Sequence, residues 1–349
     1  MRSTRETARR AARCAAAALL GVLVAGCAAH RAASAAAPEP AWSEESFAHK
    51  DVPRFTVDLD AHGAPVDTVV GKVTTYRVRQ GDTLLDVARW YDLGYNEIVD
   101  ANPGVDPWVP KAGSDVVVPT AWVLPCCSYR GIVVNLPEMR LYRYRRRREA
   151  PGKLEVVTYP VGMGRDDRRT PRGTYRVSGK TVNPQWNIPA SILREHIAER
   201  GDHRTFIPGG APDNPLGRYR IELASSRYAI HGTNVPWGVG MLVSHGCLRL
   251  YPEDIERLFP EVAVGTRVEF VYQPVKAGTR GGATYVEAHP DIYRYTRSLA
   301  ADARTALARR GLDHAVDAAL LRAAVTTPRG VPVQVAPATA ALLRPAHAG

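Results

Sequence analysis

Alternating apolar and polar positions dominate the middle of the chain. Runs with an apolar residue at every second position have the period of a half-buried strand. Turn residues separate six such runs: Gly131–Arg145, Lys153–Arg165, Thr170–Lys180, Tyr219–Ala224, Tyr228–Thr233 and Arg267–Val275. One short helix is predicted at Pro252–Phe259. The pattern predicts an antiparallel β domain over residues 128–275, and therefore a mainly β protein.

A different pattern occupies residues 73–120. Tyr76 and Val78 alternate as in a strand, and Asp82 or Thr83 can cap a helix that follows. The apolar positions of that helix recur at intervals of three and four residues: Leu84, Val87, Ala88 and Tyr91. A second short helix stops at Asn102-Pro103, and Asp115–Pro119 closes the region as a strand. The predicted order is β-α-α-β in a small separate domain.

The two flanking regions carry weaker patterns. Residues 27–72 are rich in alanine, proline and charge without a sustained period, which predicts a tether. Residues 276–349 form a C-terminal extension to which no chemistry is assigned. Helical spacing marks one helix near Leu299–Leu307, ended by Gly311, and another near Val316–Leu320, with a late strand at Val331–Val335.

Length and charge narrow the possible classes of protein. The chain has 349 residues, enough for two or three domains, and its 27 prolines and 29 glycines favour a turn-rich β architecture. A formal net charge of +11 suits an anionic cell envelope or nucleic acid. No nucleic-acid motif or basic stripe with interleaved aromatic residues is present, so nucleic acid is not expected as a partner. The basic run Arg143–Arg148 is predicted to form a solvated hairpin. The alternative is that it contacts an acidic polymer.

The N-terminus has the composition of an export signal. Five arginines precede the apolar stretch Cys14–Ala25, which is too short to span a bilayer as a helix. The stretch ends in "VAGC", which resembles a bacterial lipobox. Residues 1–26 would then be removed, and Cys27 would become the acylated first residue of a periplasmic lipoprotein. Cleavage within Ala32–Ala37 would instead release a protein without an anchor, and Arg9-Arg10 leaves twin-arginine export open.

Five cysteines constrain the redox chemistry: Cys14, Cys27, Cys126, Cys127 and Cys247. Cys14 leaves with the signal and Cys27 would carry lipid, so three remain in an oxidising compartment. Neighbouring Cys126 and Cys127 could pair through a strained ring. Cys247 would then be a free thiol, and catalysis is a reason to keep one.

Cys247 lies in a group of residues suited to nucleophilic chemistry. His231 ends a predicted strand, and His245 and Cys247 follow 14 and 16 residues later. An imidazole near the thiol can accept its proton and leave an ion pair that attacks a carbonyl carbon. Gly246 lets substrate approach the backbone, and the N–H groups of Gly246 and Cys247 would stabilise an oxyanion.

These motifs resemble two known families. "IHGTNVPWGVGMLVSHGCLRLYPEDI" resembles the signature of L,D-transpeptidases with a YkuD-type catalytic domain, and "TPRGTY", "NPQWNIPASI" and "DNPLGRYRIEL" are also similar to that family. "VRQGDTLLDVA" with a later "NP" resembles the LysM module, which binds the N-acetylglucosamine of peptidoglycan or chitin. The similarity is strongest to the periplasmic subgroup that joins an outer-membrane lipoprotein to peptidoglycan.

The resemblance implies roles for residues that match the motif. Cys247 corresponds to the nucleophile, and His231 corresponds to the general base, oriented by a carbonyl near Gly232. His245 and Gly246 correspond to residues on the oxyanion side, although some members have serine in place of His245. Two further sets correspond to supporting residues: Ser244 and Arg249 in the loop, and Asn183, Trp186 and Asn214 in the cleft. The implied enzyme attacks peptidoglycan tetrapeptide stems and needs no cofactor or metal.

Several alternatives remain open at this stage. The acceptor is either a lysine of an outer-membrane lipoprotein or a stem amine that forms a 3→3 cross-link. The same thiol could hydrolyse the acyl-enzyme, as an amidase would, and a chain without activity would only bind the wall. His231, His245 and Cys247 could also bind zinc with a fourth ligand such as His203.

Overall fold

The computed structural model describes residues 42–224 and 227–338. The predicted signal segment and Cys27 lie outside these residues. In chain order the elements are α1 Glu44–Ala48, β1 Arg54–Asp58, β2 Val69–Gly71, β3 Thr74–Arg77, α2 Leu84–Trp90, α3 Tyr95–Ala101, β4 Asp115–Val118, β5 Ala121–Val123, β6 Gly131–Asn135, β7 Arg140–Arg147, β8 Ala150–Pro160, β9 Met163–Gly164, β10 Gly173–Val182, β11 Trp186–Asn187, α4 Ala190–Arg200, β12 Phe206–Ile207, β13 Tyr219–Leu223, β14 Ala229–His231, β15 Leu242–Ser244, β16 Leu248–Arg249, α5 Pro252–Glu261, β17 Arg267–Val271, β18 Val275–Arg280, β19 Ala283–Ala288, α6 Leu299–Arg309, α7 Ala318–Thr326 and β20 Val333–Ala336. The mainly β class is confirmed.

A nine-stranded sheet contains the strands of the predicted β domain, in the order β1-β8-β7-β6-β17-β10-β13-β14-β16. Most neighbours are antiparallel, as predicted, but β6 with β17 and β14 with β16 are parallel. A parallel pair needs a crossover connection instead of a tight hairpin. The crossover between β14 and β16 is residues 232–247, and it contains most of the predicted catalytic motif.

The apolar residues of these strands form the main core. Ile221, Ile230 and Leu248 are fully buried on one face of the sheet, and Ile255 of α5 packs against them. The opposite face of β13, β14 and β16 is therefore available for polar side chains, because side chains alternate along a strand.

The predicted β-α-α-β domain is present as β3, α2, α3 and β4. Thr83 caps α2, and its hydroxyl accepts a hydrogen bond from the N–H of Asp86. Asn102 ends α3, and its side-chain amide donates to the carbonyl groups of Ile98 and Val117. This amide joins the end of the second helix to the last strand.

Residues 42–72 differ from the predicted tether. They form α1, β1 and β2, and β1 adds to the edge of the large sheet by pairing with β8. The side chain of Lys50 is fully buried and forms ion pairs with Asp92 at 2.7 Å and Asp254 at 3.0 Å. Contacts with residues far away in the chain give this segment its structure. Its own composition therefore did not predict that structure.

The C-terminal extension has its own small core. The predicted helices and late strand occur as α6, α7 and β20, and β18, β19 and β20 form a separate sheet. The sequence patterns missed the β18–β19 hairpin and also α4, which lies beside the predicted active site. Within the described residues, no helix is both long and apolar enough to cross a membrane.

Candidate active site

The register of β14 and β16 places the predicted catalytic residues on one face. His231 pairs with Arg249, and Ile230 pairs with Leu248. Alternation puts Ile230 and Leu248 in the core, so His231, Arg249 and Cys247 lie on the opposite face. The spacing of the motif is therefore explained by two adjacent strand ends.

These side chains line one cavity of about 400 Å³. Five of the predicted site residues contribute to it: His231, Ser244, His245, Cys247 and Arg249. Trp186 and α4 form another part of the wall. The cavity thus joins the strand ends to a helix that the sequence did not predict.

His231 is held as a neutral imidazole. The residue is 3% exposed, and Nδ1 lies 2.7 Å from the carbonyl oxygen of Gly232. A carbonyl only accepts, so Nδ1 carries the proton and Nε2 is free to accept another. Burial, and secondly the charge of Arg249, lower the pKa of His231 to about 3.

Cys247 is also held in its uncharged form. Burial raises the pKa of this thiol, and a backbone hydrogen bond at Ala229 and the charges of Arg220 and Arg249 oppose that rise. Burial therefore favours the neutral thiol and imidazole over the expected thiolate–imidazolium pair. The three cysteines within the described residues, Cys126, Cys127 and Cys247, are free thiols.

Hydrogen bonds inside the turn shape the approach to Cys247. Ser244 Oγ donates to the carbonyl of Cys247 at 2.7 Å and accepts from the N–H of Gly246 at 3.0 Å. Because the Gly246 N–H is used in this way, the expected oxyanion contact is left to the N–H of Cys247. Gly246 has φ +111°, and a Cβ there would lie 2.5 Å from the Tyr228 ring, so glycine is required.

His245 points to a different set of partners. Its Nε2 lies 3.0 Å from a carboxylate oxygen of Glu195 on α4 and 3.4 Å from the Arg165 guanidinium. The hydrogen bond with His245 is the main interaction that lowers the pKa of Glu195. His245 therefore joins the turn to α4, which agrees with its not being the expected base. No sequence pattern pointed to Glu195, because α4 itself was not predicted.

The residues expected to support the cleft have structural contacts. The buried side-chain amide of Asn214 donates to the carbonyls of Pro184 and Pro208, both at 2.9 Å. Trp186 packs edge-on against His196 of α4. Asn183 adopts φ +50°, in the left-handed region that asparagine tolerates.

The zinc alternative finds no support in the described part of the chain. The His, Cys, Asp and Glu side chains that converge closely there are Glu138, Glu287 and His289. His231, His245, Cys247 and His203 do not form such a group. In the cluster that does converge, Lys276 Nζ lies 2.7 Å from Glu138 and 3.0 Å from Glu287, and so supplies the positive charge itself.

The β-α-α-β domain touches the loop that leads into β15. The N–H of Tyr95 donates to the carbonyl of Val239 at 3.0 Å, and a Cβ on Gly94 would lie 2.8 Å from Gly240 Cα. Arg89 on α2 also forms two 3.0 Å hydrogen bonds with Glu253 on α5. The small domain is therefore fixed directly beside the catalytic motif.

Comparison with known proteins identifies both domains. A model of the L,D-transpeptidase catalytic domain (YkuD) matches residues 129–270, and a LysM domain model matches residues 76–119. The chain is similar to "Probable L,D-transpeptidase YcfS" of Escherichia coli K12, with 40% identity over 61% of this chain and 66% of that protein. The chain thus spans just under two thirds of that relative's length.

One further relative and one solved structure are also similar to this chain. "Probable L,D-transpeptidase ErfK/SrfK" of Escherichia coli K12 is 39% identical over 68% of this chain and 76% of the relative. The catalytic domain of an E. faecium L,D-transpeptidase, solved by NMR, is 20% identical, with a TM-score of 0.30, over 41% of this chain and 96% of that one.

Proposed function

Because the chain belongs to the L,D-transpeptidase family, we propose that it transfers peptidoglycan tetrapeptide stems through a thioester on Cys247. The observation that carries the proposal is the shared cavity of Cys247 and His231, in which the imidazole keeps Nε2 open to accept a proton. Nucleophilic catalysis by a thiol needs a nearby base that accepts its proton, and both side chains line this cavity.

The first half of the reaction forms the acyl-enzyme. Cys247 Sγ attacks the carbonyl carbon on the L-centre of the third stem residue, and the thiol proton passes to His231 Nε2. Negative charge develops on the carbonyl oxygen, where the N–H of Cys247 stabilises it. The intermediate collapses, the bond to D-alanine breaks, and the proton on His231 moves to the leaving amine.

The second half resolves the thioester. An acceptor amine attacks the same carbonyl carbon, His231 takes a proton from that amine, and Cys247 leaves with a proton returned to its sulfur. Since His231 is neutral when each half begins, no net charge is buried between the two steps. Its low pKa keeps it in the accepting form throughout the neutral range.

The LysM module would hold the glycan strand near this site. Trp108, on the loop between α3 and β4, exposes 55% of its surface and offers an aromatic face to a sugar ring. The ordered contacts from Tyr95 to Val239 fix that module against the catalytic loop. Glycan binding and stem transfer would therefore take place on two domains in direct contact.

The substrate places the enzyme in the bacterial envelope. The predicted N-terminal signal would export it, and acylation of Cys27 would anchor it at the outer membrane. The acceptor is then a lysine of an outer-membrane lipoprotein or a diamino-acid amine of a second stem. Both acceptors present a primary amine and use the same second step.

The test is product analysis by mass spectrometry of purified tetrapeptide donor incubated with the enzyme. With an amine acceptor we expect release of D-alanine and a new amide. A tripeptide product at the same rate with and without acceptor would instead indicate hydrolysis. The Cys247→Ala variant should release no D-alanine while it still binds glycan, and turnover by that variant would overturn the proposal.

A further inference from the structure

A tyrosine of the C-terminal extension lies in the core of the catalytic domain. Tyr293 is fully buried and belongs to the apolar cluster that contains Ile230 and Leu248. It follows β19 in the chain, beyond residue 270, where the match to the catalytic-domain model ends. The extension was assigned no chemistry from sequence, yet one of its side chains reaches the strands that carry the active site.

The hydroxyl of Tyr293 organises the loop after β9. It donates to the carbonyl of Gly164 at 2.7 Å and accepts from the N–H of Thr170 at 3.2 Å. The hydroxyl of Thr170 accepts from the N–H of Gly164 at 3.0 Å. These three bonds close a ring that fixes the position of the buried Thr170 side chain.

Thr170 connects this ring of hydrogen bonds to the turn before Cys247. Its Oγ1 donates to the carbonyl of Gly246 at 3.0 Å, and the N–H of Arg165 donates to the carbonyl of Ser244, also at 3.0 Å. The carbonyl of Gly246 and the N–H of Cys247 belong to one planar trans peptide group, so they point in opposite directions. A hydrogen bond that fixes the direction of the Gly246 carbonyl therefore also fixes the direction of the Cys247 N–H.

We propose that Thr170, supported by Tyr293, is a positioning residue that aims the Cys247 N–H at the oxyanion. The inference rests on the proposed function, since it concerns the intermediate formed at Cys247. Gly246 makes the bond necessary. At φ +111° this glycine has wide conformational freedom, and the peptide that follows it needs an external constraint.

The experiment compares two reactions of the same sulfur. Acylation by a carbapenem generates an oxyanion, whereas alkylation by iodoacetamide displaces iodide and generates none. Thr170→Val removes the hydroxyl at nearly constant volume, and Tyr293→Phe removes the support. We expect Thr170→Val to slow the maximal rate of acylation about 10- to 100-fold, since loss of one oxyanion donor costs about 10²–10³. Iodoacetamide alkylation should keep its wild-type rate.

Controls separate positioning from general damage. Thr170→Ser keeps the hydroxyl and should restore acylation. Tyr251→Phe is the matched control, because it loses a buried hydrogen bond from the tyrosine hydroxyl to the Leu93 carbonyl at 3.0 Å. We expect its melting temperature to be similar to that of Tyr293→Phe. Its acylation rate should equal that of wild type. Parallel loss of acylation and alkylation in Thr170→Val, or wild-type acylation by that variant, would overturn the inference. Absence of acylation in the wild type would instead count against the proposed function.

Discussion

The catalytic face and the junction between the domains both bury ionisable groups, but in opposite ways. At the junction the fully buried Arg140 guanidinium lies 2.8 Å from Glu97, and buried Lys50 contacts three carboxylates. On the catalytic face His231 contacts a neutral carbonyl, and its charged neighbours, Arg220 and Arg249, are cationic. The first region buries charges beside opposite charges, whereas the second buries a neutral base whose charged neighbours are both cations.

Because of this difference, the junction contributes to stability and the catalytic face to proton transfer. A buried ion pair resists titration, because removing either charge leaves the other unpaired in a poor solvent. A buried imidazole that faces a carbonyl and two guanidinium groups stays neutral and keeps an open nitrogen. The junction therefore fixes the LysM module, while the catalytic face retains a group that can move a proton.

Breaking the junction should produce the largest change. Arg140→Met leaves Glu97 buried without its cationic partner, so we expect the free energy of unfolding to fall by about 3–5 kcal/mol. Chemical denaturation measures this. Arg77→Met, which breaks an exposed pair with Asp115, should cost less than about 1 kcal/mol. Equal losses in the two variants would show that burial does not distinguish the pairs.

Distorting the catalytic turn should affect rate more than stability. Gly246→Ala forces a Cβ toward the Tyr228 ring at a positive φ, and we expect carbapenem acylation to fall about 100-fold, as for a misplacement near 1 Å. Gly265→Ala is the matched control, since Gly265 also has a positive φ, +86°, but open space around it. Wild-type acylation by Gly246→Ala would contradict the described turn geometry.

A smaller effect should appear in the pH dependence of stability. The pKa of His231 is about 3 in the folded state and near 6.5 when unfolded, so the unfolded chain takes up the proton first. The contribution of neutral His231 to the free energy of unfolding is fully present above pH 6.5, and it is lost as pH falls toward 3. Its size is on the order of a few kcal/mol.

Denaturation curves between pH 7 and pH 4 measure this contribution as a difference between variants. His231→Asn should lose stability less steeply than wild type as pH falls, whereas His203→Asn, which changes an exposed histidine, should follow the wild-type curve. If all three proteins respond alike, His231 is not held neutral by burial.

Much of the fold could be predicted because its signals are local. Strand alternation and helical spacing predicted the sheet, the LysM helices and the helices of the extension. The spacing of His231, His245 and Cys247 predicted the shared cavity, since that loop connects two adjacent strands. These features depend on residues close together in the chain.

The remaining features depend on partners far apart in sequence. The order of residues 42–72 comes from Lys50 and its carboxylates, and the contact of Tyr293 with Gly164 joins segments 129 residues apart. The parallel pairing of β14 with β16 cannot be read from alternation alone. The neutral state of His231 required knowledge of its burial and of the arginines beside it.

The central claim is that Cys247 carries the acyl group. The most direct measurement is acid quenching of the enzyme with tetrapeptide donor and no acceptor, followed by peptide mapping by mass spectrometry. We predict a thioester on Cys247, with Cys126 and Cys127 unmodified although both are free thiols. An acyl group on either of those cysteines, or continued release of D-alanine while Cys247 stays unmodified, would contradict the claim.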